Sequence, residues 1–144
     1  MRVVVDTNVI VSGLLNPHGA PGRVLDLLVA ERLELLADDR ILAEYREVLL
    51  RPRFGFDPAD VETLLAHLQT TSVAVISDPL DMELSDPGDL PFLEVAVFGK
   101  AESLLTGNLR HFPRSKKKLF GVKVLSPSYF LAEIQDHQPV KYTL

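Results

Sequence analysis

Val3-Val4-Val5-Asp6-Thr7-Asn8, continuing into Val9-Ile10-Val11-Ser12-Gly13, is the stretch on which the reading of this chain turns. Three consecutive valines read as a buried strand. Asp6 stands at its carboxyl end, where open α/β sheets place their ligands. An acid in apolar surroundings is costly unless something pairs with it, and a metal ion is one such partner. The other reading makes Asp6 a helix cap, its side-chain oxygen accepting a backbone N–H of the following helix. Asp6 alone does not choose between the two.

Along the rest of the chain, apolar runs suited to strands alternate with stretches of helical period, the pattern of an α/β domain with a mainly parallel sheet. After the first strand, Val9, Ile10, Leu14 and Leu15 recur at helical spacing until Asn16-Pro17-His18-Gly19 breaks them. Pro21 suits the first turn of a second helix, with Val24, Leu25, Leu28 and Val29 expected toward the core. Leu33 to Leu36 reads as the second strand. Asp38 and Asp39 are capping candidates for a third helix, which runs to about Leu50 before Pro52 stops it. Asp57-Pro58 opens a fourth helix carrying Val61, Leu64, Leu65 and Leu68, and Val73 to Ile76 reads as a third strand. Asp89 opens a helix through Phe92, Leu93 and Ala96 to Gly99. Ser103 to Leu105 and Lys123 to Leu125 are the remaining strands, and Ser126-Pro127 starts a last helix. The expected architecture is one domain over residues 1–144, three layers α/β/α around a central mainly parallel sheet.

A chain of 144 residues can bury a core without disulfides or a structural metal. It has no cysteine, which removes disulfide frameworks, thiolate metal sites and cysteine nucleophiles together and fits a reducing, cytoplasmic setting. No apolar run approaches a membrane span, and a chain that opens on a strand is not expected to carry a signal peptide. The net charge of −5 hides an asymmetry. Residues 1–102 hold eighteen acids against eight Lys or Arg, whereas residues 103–132 hold no acid and six bases: Arg110, Arg114, Lys116, Lys117, Lys118 and Lys123. Such a block can hold phosphates, although short lysine runs such as Lys116 to Lys118 are also ordinary solvated turns.

The acids fall at strand ends and helix starts. On the third helix Ile41, Tyr45, Val48 and Leu49 define an apolar face, and Glu44 lies at its edge beside Val48, while Glu47 points further away. From there Glu44 can reach a cleft, or snorkel to water like most surface glutamates. Asp86-Pro87-Gly88-Asp89 supplies two more acids, with helix capping again the local alternative. Leu104-Leu105-Thr106-Gly107-Asn108 repeats the plan of the first strand: apolar strand, hydroxyl residue, then an oxygen-bearing side chain. In a parallel sheet all strands end on one edge, so these groups converge. Converging carboxylates raise one another's pKa unless a divalent cation sits among them. With no Cys and no clustered His, oxygen ligands point to Mg²⁺ or Mn²⁺ and to phosphodiester hydrolysis.

The ordered set resembles a PIN domain from end to end: Val5-Asp6-Thr7-Asn8-Val9-Ile10, Glu44 within Ile41-Leu42-Ala43-Glu44-Tyr45, Asp86-Pro87-Gly88-Asp89 before Phe92-Leu93 and Ala96, and Leu105-Thr106-Gly107-Asn108. It looks most like the toxin branch, the ribonuclease halves of toxin–antitoxin pairs. The resemblance implies a Mg²⁺- or Mn²⁺-dependent endoribonuclease with Asp6, Glu44 and Asp89 as metal-holding acids. It also implies Thr7 and Thr106 as hydrogen-bonding supports, Asn8 as a group that orients Asp6, and Asp86 in an outer position. Many such domains carry an aspartate where this chain has Asn108, which coordinates through its carbonyl oxygen without adding charge. A second metal is therefore expected to be held weakly, or only with help from RNA phosphates. Such toxins are silenced by a small antitoxin protein and pair as dimers, for which Leu27, Leu28, Leu64 and Leu68 are candidates, with the chain's own core the competing assignment.

The expected activity is hydrolysis of single-stranded or loop RNA, with Arg110, Arg114 and Lys116 to Lys118 tracking its backbone, Arg51 and Arg53 in second rank, and Phe112 either stacking a base or, as a lone aromatic, belonging to the core or anchoring a turn. Three rivals stand beside it. A phosphohydrolase with Asp6 as covalent nucleophile wants a second acid two residues on, where Asn8 stands. A receiver-like domain wants adjacent acids after the first strand and a lysine ending the last, where Thr7 and Leu125 stand. A catalytically weak or inactive interaction or RNA-binding module keeps the fold without metal, and Asn108 gives that reading weight.

Overall fold

The computed structural model describes residues 1–112 and 119–137. Its centre is a sheet of five parallel strands, β1 (Arg2–Val5), β2 (Glu34–Ala37), β3 (Val73–Ala74), β4 (Ser103–Leu105) and β5 (Lys123–Leu125), in the order β3-β2-β1-β4-β5. Among the described residues six α-helices flank it: α1 (Thr7–Leu15), α2 (Ala20–Val29), α3 (Asp39–Leu49), α4 (Pro58–Thr71), α5 (Leu90–Phe98) and α6 (Pro127–His137). The arrangement is the expected three-layer α/β/α sandwich.

The chain leaves β1 toward β2 and β3, then returns through α5 to β4 on the other side of β1. Right-handed crossovers in opposite directions place their helices on opposite faces. Accordingly α5 packs on β1, β2 and β4, while α2 packs on α1 and α6. Val3, Val4 and Val5 are fully buried between the layers, with Leu35, Leu36, Leu104 and Leu105 beside them. β1 is therefore the middle of the sheet and of the core.

Local chemistry sets the helix ends. The Asp38 carboxylate accepts from Ile41 N at 3.0 Å and caps α3; Asp57 accepts from Ala59 N at 2.9 Å and caps α4. After α3 the chain makes a short 3₁₀ turn over Pro52–Phe54, since proline cannot extend the helix. Gly22 in α2 sits where a Cβ would lie 2.2 Å from the Pro17 carbonyl oxygen, so only glycine lets α2 close onto the turn that precedes it.

The structure corrects two expectations about packing. Val29 was expected toward the core but is 44% exposed, at the last residue of α2. β3 stops at Ala74 instead of reaching Ile76; one more bond follows, Val75 N to Ala37 O at 3.0 Å, and Ile76 lies in solvent. Of the roles open to Phe112, the structure takes the core one, and the buried ring cannot stack a base. Of the four leucines named for a dimer contact, Leu28 and Leu68 are core residues, while Leu27 and Leu64 remain half-buried. No helix among the described residues is long and apolar enough to cross a membrane.

Candidate functional site

The register of β1 and β4 pairs Val5 with Leu105, so the next residues, Asp6 and Thr106, emerge side by side at the carboxyl edge. This is the point where the chain's path across the sheet reverses, the crevice that open α/β sheets offer to ligands. Asp6 does not cap α1. Its carboxylate turns toward β4, where Oδ2 accepts the Thr106 hydroxyl at 2.8 Å and the Asn8 side-chain amide at 3.2 Å. Asn8 spans the same gap, its carbonyl oxygen accepting from Gly107 N at 3.0 Å. Thr106, fully buried, accepts from Asn108 N at 3.0 Å and so aims its own proton at Asp6.

Glu44 arrives from the middle of α3. The neighbouring Tyr45 is fully buried and donates its hydroxyl to the Val5 carbonyl at 2.5 Å, tying α3 to the end of β1. That contact holds Glu44 over the carboxyl edge, where its carboxylate accepts the Thr7 hydroxyl. Asp89 comes from the other side, at the end of a 3₁₀ turn over Pro87–Asp89. It is buried and makes no capping bond to α5; capping within this turn is done by Asp86, which accepts from Gly88 N at 2.9 Å. Asp89 Oδ2 instead accepts from His111 Nδ1 at 2.9 Å.

The electrostatics match the geometry. Burial pushes the Asp6 carboxyl up to about 6, the Thr106 hydrogen bond opposes that, and the Asp89 charge adds to it. Burial also raises Glu44, against the Thr7 hydrogen bond and with help from the Asp6 charge. Asp89 is raised by burial as well, against the His111 hydrogen bond and with help from the Asp86 charge. Tyr45, beneath them, is held well above its ordinary range by burial and then by the Asp6 and Glu44 charges. Three partly desolvated acids repelling one another form a site that a cation relieves.

Within this field the tightest grouping is not the three acids named from the sequence. Among the described residues, Asp86, Asp89 and His111 are the set of three whose ligand atoms all lie within 4.8 Å of one another. Asp6 and Glu44 adjoin it. Asn108 is exposed; its backbone carbonyl accepts from His111 N at 2.9 Å as the chain enters a 3₁₀ turn over Leu109–His111. Arg110 is exposed on that turn, whereas Arg114, Lys116, Lys117 and Lys118 lie outside the described residues. Arg51 is paired with Glu47 at 2.7 Å, and Arg53 lies over the Phe54 ring at 4.8 Å.

Sequence reasoning missed two residues. His111 carried a usable signal, a lone imidazole three residues after Asn108 at the end of a strand that already ended in polar groups. Glu94 carried none, because it sits inside an otherwise apolar helix. It is buried and accepts from Arg40 at 2.7 Å and from Leu80 N at 2.8 Å, which ties the loop leading to Asp86 onto α5. A cavity of about 550 Å³ lies at the opposite, amino edge of the sheet, lined by Met1, Glu102, Ser103 and Lys123 among others, and it holds none of the acids of this site.

The members of this carboxyl-edge set from Asp6 to Asn108 fall within the stretch that comparison with known proteins recognises, and His111 lies directly after it. Residues 2–110 match the family model described as PIN domain. Over 144 aligned residues the chain is 31% identical to an uncharacterized protein of Methanocaldococcus jannaschii, MJ1680, with 94% of this chain and 92% of that protein covered. A parallel α/β/α sandwich with its acids gathered where the strand order reverses, matched over most of its length, belongs to the PIN-domain family.

Proposed function

We propose that this protein is a Mg²⁺- or Mn²⁺-dependent endoribonuclease that hydrolyses RNA phosphodiester bonds. One observation carries the reading: Asp6, Glu44 and Asp89 reach the same crevice from three separate elements with their pKa values all raised. The donor set fits a hard or borderline divalent ion, being carboxylate oxygens with a single imidazole nearby. Asp6, Glu44 and Asp89 would hold it. When bound, such an ion supplies an activated water and neutralises charge on the phosphate. The chain's own work is positioning. Thr106 and Asn8 fix the Asp6 carboxylate, Thr7 fixes Glu44, and Tyr45 anchors the helix that brings Glu44 in. Arg110, exposed on the turn over Leu109–His111, would meet the RNA backbone, with Arg114 and Lys116 to Lys118 as the further basic residues in the sequence after it.

The finer reading is the toxin half of a toxin–antitoxin pair, a cytoplasmic homodimer silenced by a small antitoxin protein. Its support is the resemblance of the motifs to that branch. A second reading, a PIN-like module with weak or no activity, is favoured by Asn108, an exposed amide that brings no charge to the site. The deciding experiment is cleavage of a panel of structured and unstructured RNAs with Mg²⁺, Mn²⁺ or EDTA, comparing wild type with Asp6→Asn. Metal-dependent cutting that the folded variant loses supports the nuclease. Silence from both proteins, together with no metal binding in a calorimetric titration, supports the inactive module.

A further inference from the structure

Asp89 and His111 touch through two atoms whose separation has a second meaning. His111 Nδ1 lies 2.9 Å from Asp89 Oδ2. Around a six-coordinate ion with bonds of about 2.1 Å, adjacent ligands stand about 3 Å apart, so this hydrogen bond has the length of one edge of such a shell. The ligand atom of Asp86 completes a triangle with no side longer than 4.8 Å. As a donor to Asp89 the imidazole carries its hydrogen on Nδ1; in the other tautomer, with that hydrogen on Nε2, the Nδ1 lone pair and the Asp89 oxygen face one another across a gap that a cation would fill.

The imidazole is held there by its backbone. His111 N donates to Asn108 O at 2.9 Å, and His111 O accepts the Ser85 hydroxyl at 3.1 Å. The next residue, Phe112, is buried in the core. The segment before Asp86 and the turn after β4 are thus joined directly, and that join sets Asp86, Asp89 and His111 against one another.

We propose that His111 is a metal ligand, binding one divalent cation through Nδ1 together with carboxylate oxygens of Asp89 and Asp86. The inference rests on the metal-dependent reading above and extends it. A nitrogen donor matters because imidazole favours transition ions over Mg²⁺, whose preferred ligands are oxygens. The site should therefore prefer Mn²⁺ to Mg²⁺ because of His111.

The test uses the metal alone. Mn²⁺ is added to metal-free wild type and to His111→Gln, a variant that keeps a donor for Asp89, and both are checked for folding by circular dichroism. Pulsed electron paramagnetic resonance reads nitrogen coupling to the bound ion, and calorimetry reads Mn²⁺ and Mg²⁺ affinities. The expected result is nitrogen coupling in wild type that vanishes in His111→Gln, with Mn²⁺ affinity falling at least about tenfold and Mg²⁺ affinity changing less. Mn²⁺ bound without nitrogen coupling, or with equal affinity in both proteins, overturns the assignment and leaves His111 as a hydrogen-bond partner of Asp89. RNA cleavage that survives that outcome keeps the nuclease reading intact. No Mn²⁺ binding to wild type overturns the assignment and the metal-dependent reading together.

Discussion

The Asp6 carboxyl is buried under the edge of the sheet with other acids around it. Its pKa of about 6 lies above the ordinary value of 3.8, so the folded state holds this proton more tightly than the unfolded chain does. The resulting stability is present in full below pH 3.8 and is lost as the pH rises to about 6. At neutral pH and without metal, Asp6 therefore destabilises the fold. A shift of this size corresponds to about 3 kcal/mol as an upper bound. Metal-free Asp6→Asn should be more stable than wild type at pH 7 by about 1–3 kcal/mol, with the gap closing toward pH 4. Urea denaturation at a series of pH values measures it. A variant no more stable than wild type at pH 7 would show that Thr106 and Asn8 already offset the burial. Much of this residue was legible in the sequence, since a charged side chain directly after three valines is conspicuous. Which hydrogen bonds it makes was not, because Thr106 is a hundred positions away.

At the scale of elements, the site depends on how closely neighbouring segments approach. Tyr45 is one such joint, its hydroxyl tying α3 to the last residue of β1. Gly22 is another, holding α2 against the turn at Pro17. A Cβ there would lie 2.2 Å from the Pro17 carbonyl oxygen and 2.4 Å from its carbon, both backbone atoms that cannot step aside as a flexible side chain can. Gly22→Ala should cost about 1–3 kcal/mol, toward the upper end, even though alanine has the better helix propensity. A lowered urea midpoint with an unchanged slope is the expected result, and an unchanged midpoint would mean that the turn shifts freely. Helix periodicity and caps at Asp38 and Asp57 were readable because they are written within four or five residues. The need for glycine at position 22, and the buried Glu94 that holds the loop onto α5, arise only when separate elements meet.

For the whole molecule, the carboxyl edge concentrates acids that the fold tolerates without gaining from them, so an ion that binds only the native state should stabilise it. Mn²⁺ at a hundredfold excess over its dissociation constant would add about 2.7 kcal/mol. For a chain of this length that is a rise in Tm of several degrees. The rise should shrink when the pH is lowered below about 6, where protons compete for Asp6, and should be smaller in Asp6→Asn. Thermal melts with and without Mn²⁺ at pH 5 and pH 7.5 test this. A rise of equal size at both values would place the ion away from Asp6.

From the sequence alone came the alternation of strands and helices, the burial of β1, and the acids at strand ends and helix starts, because periodicity, capping and strand-end polarity are local properties of the chain. Only the tertiary structure decided that Asp6 turns to Thr106 instead of capping α1, that Asp89 meets His111, that Phe112 belongs to the core, and that Val29 and Ile76 face water. Each of those outcomes depends on which strands are neighbours and in what register. Strand order and register are set by the packing of the whole core, so no window of a few residues contains them.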